Sequence, residues 1–550
     1  TFFAFKQFSG MWRYYSIDDL VKTVSSCVLI TLLFALITRF EFFGLNLSMS
    51  RMVLGLTGIF LIFWCTGSRA FIRYFREQRR KAILSRKEFA QRVLVCGSVA
   101  EADLLIRACS KDFEGVFCGV LSDDKSLDKR QLHGVKVYCK NLSEVGQLVK
   151  DHDITDIHIL APFNKPQCTN TVIDSCAAAN VTPKFHTIPT LADLASGDIS
   201  ASMIKDVEIT DLLGRVEADL DRVKISESLK GNKVMVTGAG GSIGSELCRQ
   251  ILSYQPKLLI LFEASEFALY SIEKELTEKY PHTRVIAVAG DIRQKTEVRE
   301  AIDSVNGIDV IYHAAAYKHV PLMEKNVPAA FRNNVLGTAG LADVAEEKGV
   351  KRFVMISSDK AVRPSNIMGA TKRIAERCLQ ERPFKGTEFV AVRFGNVLGS
   401  SGSVIPLFKK LIKEGKPLTV TSPEMCRFFM TIPEAVDLVL MSGAVAKPSQ
   451  ILVLEMGEPV KIYDLAVRLI ELSGLKPHVD VKVEFCGLRP GEKEYEEILT
   501  DDENVVETEH ERIYLLQKDE GKQEAQAVDL DLILKKISQS DGEFLRQLAQ

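Results

Sequence analysis

At 550 residues the chain exceeds what one hydrophobic core supports, so roughly two to four domains are expected. Its formal net charge of −2 gives no overall field to gather nucleic acid, which excludes a charge-driven nucleic-acid binder. Twelve cysteines form no CxxC pair and show no ligand spacing to the nine histidines, which points to free thiols in a reducing compartment and to no metal centre.

Residues 1–20 mix aromatics with a few charges, a composition suited to a membrane interface. Sixteen uncharged residues separate Lys22 from Arg39, and seventeen separate Arg51 from Arg69. Two such runs around one short loop predict a pair of transmembrane helices; the alternative is a buried helical pair in a soluble domain. Arg69, Arg73, Arg76, Arg79, Arg80, Lys81, Arg86 and Lys87 follow the second run, so everything after residue 69 is expected in the cytoplasm. Residues 1–90 are thus read as a membrane-anchoring segment with a basic juxtamembrane helix, and a lipid bilayer as a partner.

Residues 91–205 read as a Rossmann-like α/β domain, with RVLVCG, GVFCGVLS and DIHILAP as strands. Its glycine loop is degenerate: only Gly97 stands within Cys96–Ala100. A nucleotide-fold relative without its own nucleotide is expected there. VEITDLLGRVEADLD (207–221) links it to residues 206–520, a second doubly wound α/β domain, and 521–550 read as a helical tail.

The second domain begins with KVMVTGAGGSIGSE (233–246), a strand, a glycine turn and a helix. Gly238 allows the tight turn, Gly241 lets a pyrophosphate approach, and Gly244 lets helix and strand pack closely, with Ser242 and Ile243 at the helix start. Glu263 ends the next strand, where a carboxylate accepts the adenosine ribose hydroxyls and repels a 2′-phosphate, favouring NAD over NADP. Asp291 and Ile292 end a third strand and are suited to flanking the adenine; Ala314, Ala315 and Ala316 end a fourth and leave room for the cofactor. After residue 400 the strand–helix alternation weakens, as expected of a substrate-binding lobe.

TGAGGSIGSE, HAAAYKHVPLME, SSDKAVRPSNIMGATKR, RFGNVLGSSGSVIPLF, RFFMTIPEA and GLRPGEK together closely resemble the membrane-anchored nucleotide-sugar 4,6-dehydratases of bacterial capsule and glycan biosynthesis, of the extended short-chain dehydrogenase type. The likeness runs the whole length of the chain. In short-chain dehydrogenases a Tyr-x-x-x-Lys helix carries the base; here Met368 holds the Tyr position, as is common in that family, and Lys372 the Lys position. Ser358 stands where the family usually has threonine. Two apparent spans stand where the family usually has four, and the start at Thr1 in place of Met leads to the expectation of upstream spans absent from this chain.

The resemblance implies oxidation at C4 with bound NAD, loss of water across C5 and C6, and hydride return to C6, with UDP-N-acetylglucosamine as the usual substrate. Asp359 is suited to protonating the leaving C6 hydroxyl and Lys360 to removing the C5 proton, while Ser358 is suited to bonding the C4 oxygen. Lys372 through a water, and Asp359, remain the candidates to deprotonate the C4 hydroxyl. Lys318 and His319 are placed to reach sugar or phosphates, with a structural role for His319 as the alternative. Asn396 matches a nucleotide-binding position of the family, Arg427 and Arg489 suit the diphosphate, and Glu492 the uridine ribose. The expected function is a C5-retaining dehydratase tethered to the bacterial inner membrane, homo-oligomeric as is usual for the fold. The competing readings are a 4-epimerase, a C5-inverting dehydratase, and a non-catalytic NAD-binding scaffold.

Overall fold

The computed structural model describes residues 17–39, 50–84, 91–109, 113, 115–188, 204–213, 220–499, 503, 505–517, 533 and 543–549. Most of the aromatic segment over 1–20, the end of the basic stretch and much of the 521–550 tail therefore lie outside the described residues.

The N-terminal runs fold as helices α1 (Ile17–Arg39) and α2 (Arg51–Leu84). The expected pair of transmembrane helices is overturned: among the described residues no helix is long and apolar enough to cross a membrane. The uncharged runs stop at sixteen and seventeen residues, short of the roughly 20 a span needs. They are also diluted by hydroxyls, which fold back on carbonyls of the preceding turn: Thr31 to Cys27 at 2.8 Å, Thr57 to Val53 at 2.7 Å and Thr66 to Ile62 at 2.6 Å. Among the described residues, the N-terminal part of the fold is a helical pair ahead of two α/β units, with no helix long and apolar enough to cross a membrane.

The first unit is a seven-stranded sheet. Its strands are β1 (Arg92–Cys96), β2 (Val116–Leu121), β3 (Gln131–Leu132), β4 (Val135–Tyr138), β5 (Asp156–Ile159), β6 (Lys184–Thr187) and β7 (Lys205–Asp206), in spatial order 3-4-2-1-5-6-7. Short antiparallel pairs, β3 with β4 and β6 with β7, close its two edges around a parallel centre.

The second unit holds β8 (Lys233–Thr237), β9 (Leu258–Glu263), β10 (Arg284–Ala289), β11 (Val310–His313), β12 (Arg352–Ile356) and β13 (Glu388–Arg393) in the order 10-9-8-11-12-13. Strand Gln450–Leu454 continues the parallel set, and Ile513–Leu516 and Val505–Glu507 add an antiparallel edge. The strands read as unbroken apolar runs because helices cover both faces. Successive side chains alternate between two cores: Val234 and Val236 enter one with Leu259 and Leu261, while Met235 enters the other with Leu258, Ile260 and Phe262. The strand order reverses between β8 and β11, and a crevice opens beyond the carboxyl ends of such strands.

One core joins what the sequence separates. Ile157, Ile173, Cys176 and Phe185 of the first unit pack in the same cluster as Phe408, Val420, Ile462, Leu469 and Ile470 of the lobe after residue 400. Arg468 of helix Ile462–Leu472 pairs across this contact with Asp174 of helix Pro166–Ala178. The tail helix Glu543–Ala549 packs Phe544 and Leu545 against Phe331, Ile367 and Ile374 of the second unit.

Candidate active site

Three strand ends build a cradle around the glycine turn. Gly238 has φ +69°, and a Cβ there would lie 2.7 Å from the Ala315 nitrogen; a Cβ on Gly244 would lie 1.9 Å from the Gly238 carbonyl oxygen. No larger residue fits at either position. Gly241 precedes helix Ser242–Ser253 and offers no side-chain cap, so the first-turn N–H groups, Ser242, Ile243 and Gly244 among them, face the crevice without a side chain on Gly241 to compete. Glu263 receives the N–H groups of Gly240 and Ser265, both at 3.0 Å, which fixes its carboxylate beside the turn. Asp291 is held by Arg293 at 2.8 Å and Ile292 is buried in the adjoining core. Ala314, Ala315 and Ala316 leave β11 half-buried against Gly238. A cradle that a Cβ would fill, a bare helix N-terminus and a carboxylate at the second strand's end fit a dinucleotide.

Beside the cradle lies a cavity of about 290 Å³. Lys318, His319, Asp359, Lys360, Asn396, Arg427, Arg489 and Glu492 all line it, although they span positions 318 to 492. The lobe closes its far side through Phe408, Val420, Met425 and Ile462. Met368 and Lys372 are not among its lining residues: both are buried on helix Ile367–Gln380, one turn apart, and Lys372 Nζ donates to the Ile356 carbonyl at 2.8 Å.

Asp359 and Lys360 sit on a 3-10 turn that follows β12, and Ser358 begins it. Ser358 Oγ donates to Asp359 Oδ1 at 2.8 Å, as do the Lys360 N–H at 2.8 Å and Lys360 Nζ at 3.0 Å. Burial pushes the Asp359 carboxyl up to about 7; Lys360 opposes the rise and Glu496 adds to it. Asp359 Oδ2 is buried with no hydrogen-bond partner among the described residues, and the nearby Glu496 carboxylate favours the protonated form. Lys360 Nζ also donates to Glu496 Oε2 at 2.9 Å and to Asn396 Oδ1 at 3.2 Å. Burial works against its charge, yet Asp359 and Glu496 outweigh burial and hold its pKa above the ordinary lysine value. The structure therefore presents Lys360 as a cation, whereas removal of the C5 proton needs the neutral amine.

The other groups follow their surroundings. Burial brings Lys372 down to about 8, with Glu376 offsetting part of the fall. Burial, then the charge on Lys360, lowers Lys318; burial, then Lys318, lowers His319. Arg427 directs Nη1 and Nη2 to the carbonyls of Cys426, Lys493 and Glu494, and its Nε meets Glu496 Oε1 at 3.0 Å. Arg489 and Glu492 share a turn, with the Arg489 N–H donating to Glu492 Oε2 at 3.3 Å.

Glu496 escapes sequence reasoning. It stands in the acidic run GEKEYEE with no spacing to Asp359 or Lys360, and only the return of residues 489–497 over the lobe brings it there. Also missed is the buried triad of Ser357, Glu376 and Arg393 behind the site, because a Glu within a helix reads as a solvated charge.

The family model described as polysaccharide biosynthesis protein matches residues 234–518, and one described as CoA-binding domain matches residues 8–185. The capsular polysaccharide biosynthesis protein CapD of Staphylococcus aureus is 42% identical over 525 residues, covering 93% of this chain and 84% of that one. A UDP-N-acetylglucosamine 4,6-dehydratase (inverting) of Campylobacter jejuni is 32% identical over 292 residues, covering 52% of this chain and 82% of that one. Among solved structures, Pen from Bacillus thuringiensis aligns with a TM-score of 0.49 at 32% identity over 57% of this chain and 98% of that one. The chain belongs to the polysaccharide biosynthesis protein family.

Proposed function

We propose that the chain is an NAD-dependent UDP-N-acetylglucosamine 4,6-dehydratase that retains configuration at C5. The observation that carries this reading is the buried Asp359 carboxyl, poised to hold a proton near neutral pH, next to Lys360 on the wall of a cavity that also holds Arg427 and Arg489. An epimerase needs only reversible oxidation at C4 and has no use for an acid–amine pair at a second carbon. The Campylobacter relative, named an inverting 4,6-dehydratase, supports dehydration, whereas retention rests on Met368.

Gly238, Gly241, Ser242, Ile243 and Gly244 hold the pyrophosphate, Glu263 the adenosine ribose, Asp291 and Ile292 the adenine edge, and Ala314 to Ala316 make room beside Lys372. When bound, NAD supplies reversible hydride transfer. Arg427 and Arg489 hold the diphosphate, Glu492 and Asn396 the nucleoside side, and Lys318 and His319 the sugar. Ser358 orients the C4 oxygen. Asp359 gives its proton to the departing C6 hydroxyl, and Lys360, once neutral, takes the C5 proton that the C4 ketone has made acidic. Lys360 alone serves C5, because the Met368 thioether exchanges no proton. The proton returns to the face it left, which gives retention.

Incubation of the chain with NAD and UDP-N-acetylglucosamine is expected to yield a sugar nucleotide lighter by one water. Reaction in deuterium oxide is expected to place deuterium at C5 with unchanged configuration by NMR. A product of unchanged mass overturns dehydration; an inverted C5 overturns retention alone.

A further inference from the structure

The reaction just proposed asks for a neutral Lys360, yet the folded chain holds it charged. Glu496 is the group that joins this problem to substrate binding. Its side chain is 8% exposed, and it touches both sides of the question: Oε2 accepts from Lys360 Nζ at 2.9 Å, and Oε1 faces Arg427 Nε at 3.0 Å. It also contacts Asp359, and Asn396 Nδ2 lies 3.4 Å from Oε2.

Resting on the reading of Arg427 as a diphosphate ligand, we propose that Glu496 is a positioning residue that takes the Lys360 proton when a diphosphate draws Arg427 away from it. With Arg427 beside it, Glu496 is a poor proton acceptor, because two cations stabilise its charge. A bound diphosphate offers Arg427 two oxygens in the geometry its planar fork prefers. Glu496 then keeps only Lys360 as a cationic neighbour in a buried site, where an isolated charge is costly. The proton moves along the existing hydrogen bond from Nζ to Oε2: the N–H bond breaks, the O–H bond forms, and the freed nitrogen lone pair faces the cavity. Net charge is unchanged and no other reactant is needed. Arg427 thereby links occupancy by nucleotide to readiness of the amine, so that the base is armed only when substrate is present.

The groups facing Glu496 are few. Asp359 and Lys360 come from the turn after β12, Arg427 from the segment Cys426–Arg427, and Asn396 from the segment after β13. The charge on Lys360 in turn acts on Lys318, after β11. On its own segment, Glu494 is held by Ser422 and Glu497 by Lys493.

The test is infrared difference spectroscopy of the full chain with and without UDP at pH 7.5, which reads the carbonyl band of a protonated carboxyl directly. Wild type is expected to gain that band and lose carboxylate absorbance as UDP binds, with no net proton taken from the buffer. Glu496→Gln is expected to lose the gain while still binding UDP. An equal gain in wild type and Glu496→Gln overturns the proposal, as does no gain in a wild type that binds UDP, and so does absence of UDP binding to wild type. Arg427→Met provides a second measure: with no cation to withdraw, UDP brings no gain, and an undiminished gain overturns the link. A wild type that gains the band with UDP but leaves UDP-N-acetylglucosamine unchanged upholds the relay and overturns the dehydratase.

Discussion

Glu376 and Arg393 are both fully buried and meet in a bidentate pair, Nε to Oε1 and Nη2 to Oε2, each at 2.8 Å. Glu376 lies on the helix of Met368 and Lys372, Arg393 ends β13, and Ser357 Oγ at the end of β12 adds a third bond to Glu376 at 2.6 Å. The pair fixes the helix to the two strand ends that carry the site. Breaking a buried pair by removing one partner leaves an uncompensated charge, at a cost of about 3–5 kcal/mol. Glu376→Gln is therefore expected to lower the midpoint of chemical denaturation strongly. The double variant Glu376→Met with Arg393→Met is expected to recover most of that loss, and a double variant as unstable as the single one contradicts this account.

Asp359 and Lys360 share the site but differ in the step they serve. Asp359→Asn and Lys360→Ala are each expected to lose about 10²–10⁴-fold in turnover, the range of a lost proton-transfer group. UDP binding is expected to persist in both. Asp359 acts in its protonated form, which prevails below about 7 and is lost above it. Turnover of the wild type is therefore expected to fall as pH rises through about 7, read from the pH dependence of kcat.

Lys372 is expected to trade stability for cofactor contact. Burial brings it from 10.5 to about 8 in the folded chain, while an unfolded chain keeps the ordinary value. Between those values the unfolded state binds more protons, so the cost of burying the charged amine is present in full below about 8 and is relieved as pH climbs from about 8 to 10.5. The charged amine costs on the order of 3 kcal/mol at neutral pH. Lys372→Met is expected to raise the melting temperature of the cofactor-free protein at pH 7, with the gain shrinking above pH 8, and to weaken NAD binding in a fluorescence titration.

Two glycines of the cradle are expected to differ in tolerance. A Cβ on Gly244 would lie 1.9 Å from the Gly238 oxygen, whereas on Gly241 it would lie 3.2 Å from that same atom. A backbone oxygen at 1.9 Å cannot be accommodated without moving the turn. Gly244→Ala is expected to abolish measurable NAD binding, and Gly241→Ala to weaken it only partly. Equal effects would show that the turn is softer than its contacts imply.

How much of this was legible beforehand follows from what each residue depends on. The strand, turn and helix of 233–253 are local: apolar β-formers, glycines in a fixed order and an amphipathic helix need only their neighbours. Hence the cradle residues, the strand ends at Glu263 and Asp291 and the doubly wound fold class could be named from the chain. The N-terminal runs depart from the expected spans because their uncharged stretches are short and carry hydroxyls. Glu496, Glu376 and Arg393 carried no local signature at all, since an acidic residue in a polar run or a helix gives no sign of what it will face.

The sequence by itself determined a nucleotide-binding α/β unit with an acid–amine pair at a strand end, because both features are written in short spacings. Only the tertiary structure decided the protonation of that pair, through a carboxylate 136 positions from Lys360. Charge states in a buried site are set by distance and solvent exclusion, and neither exists until the lobe has folded over the strand ends.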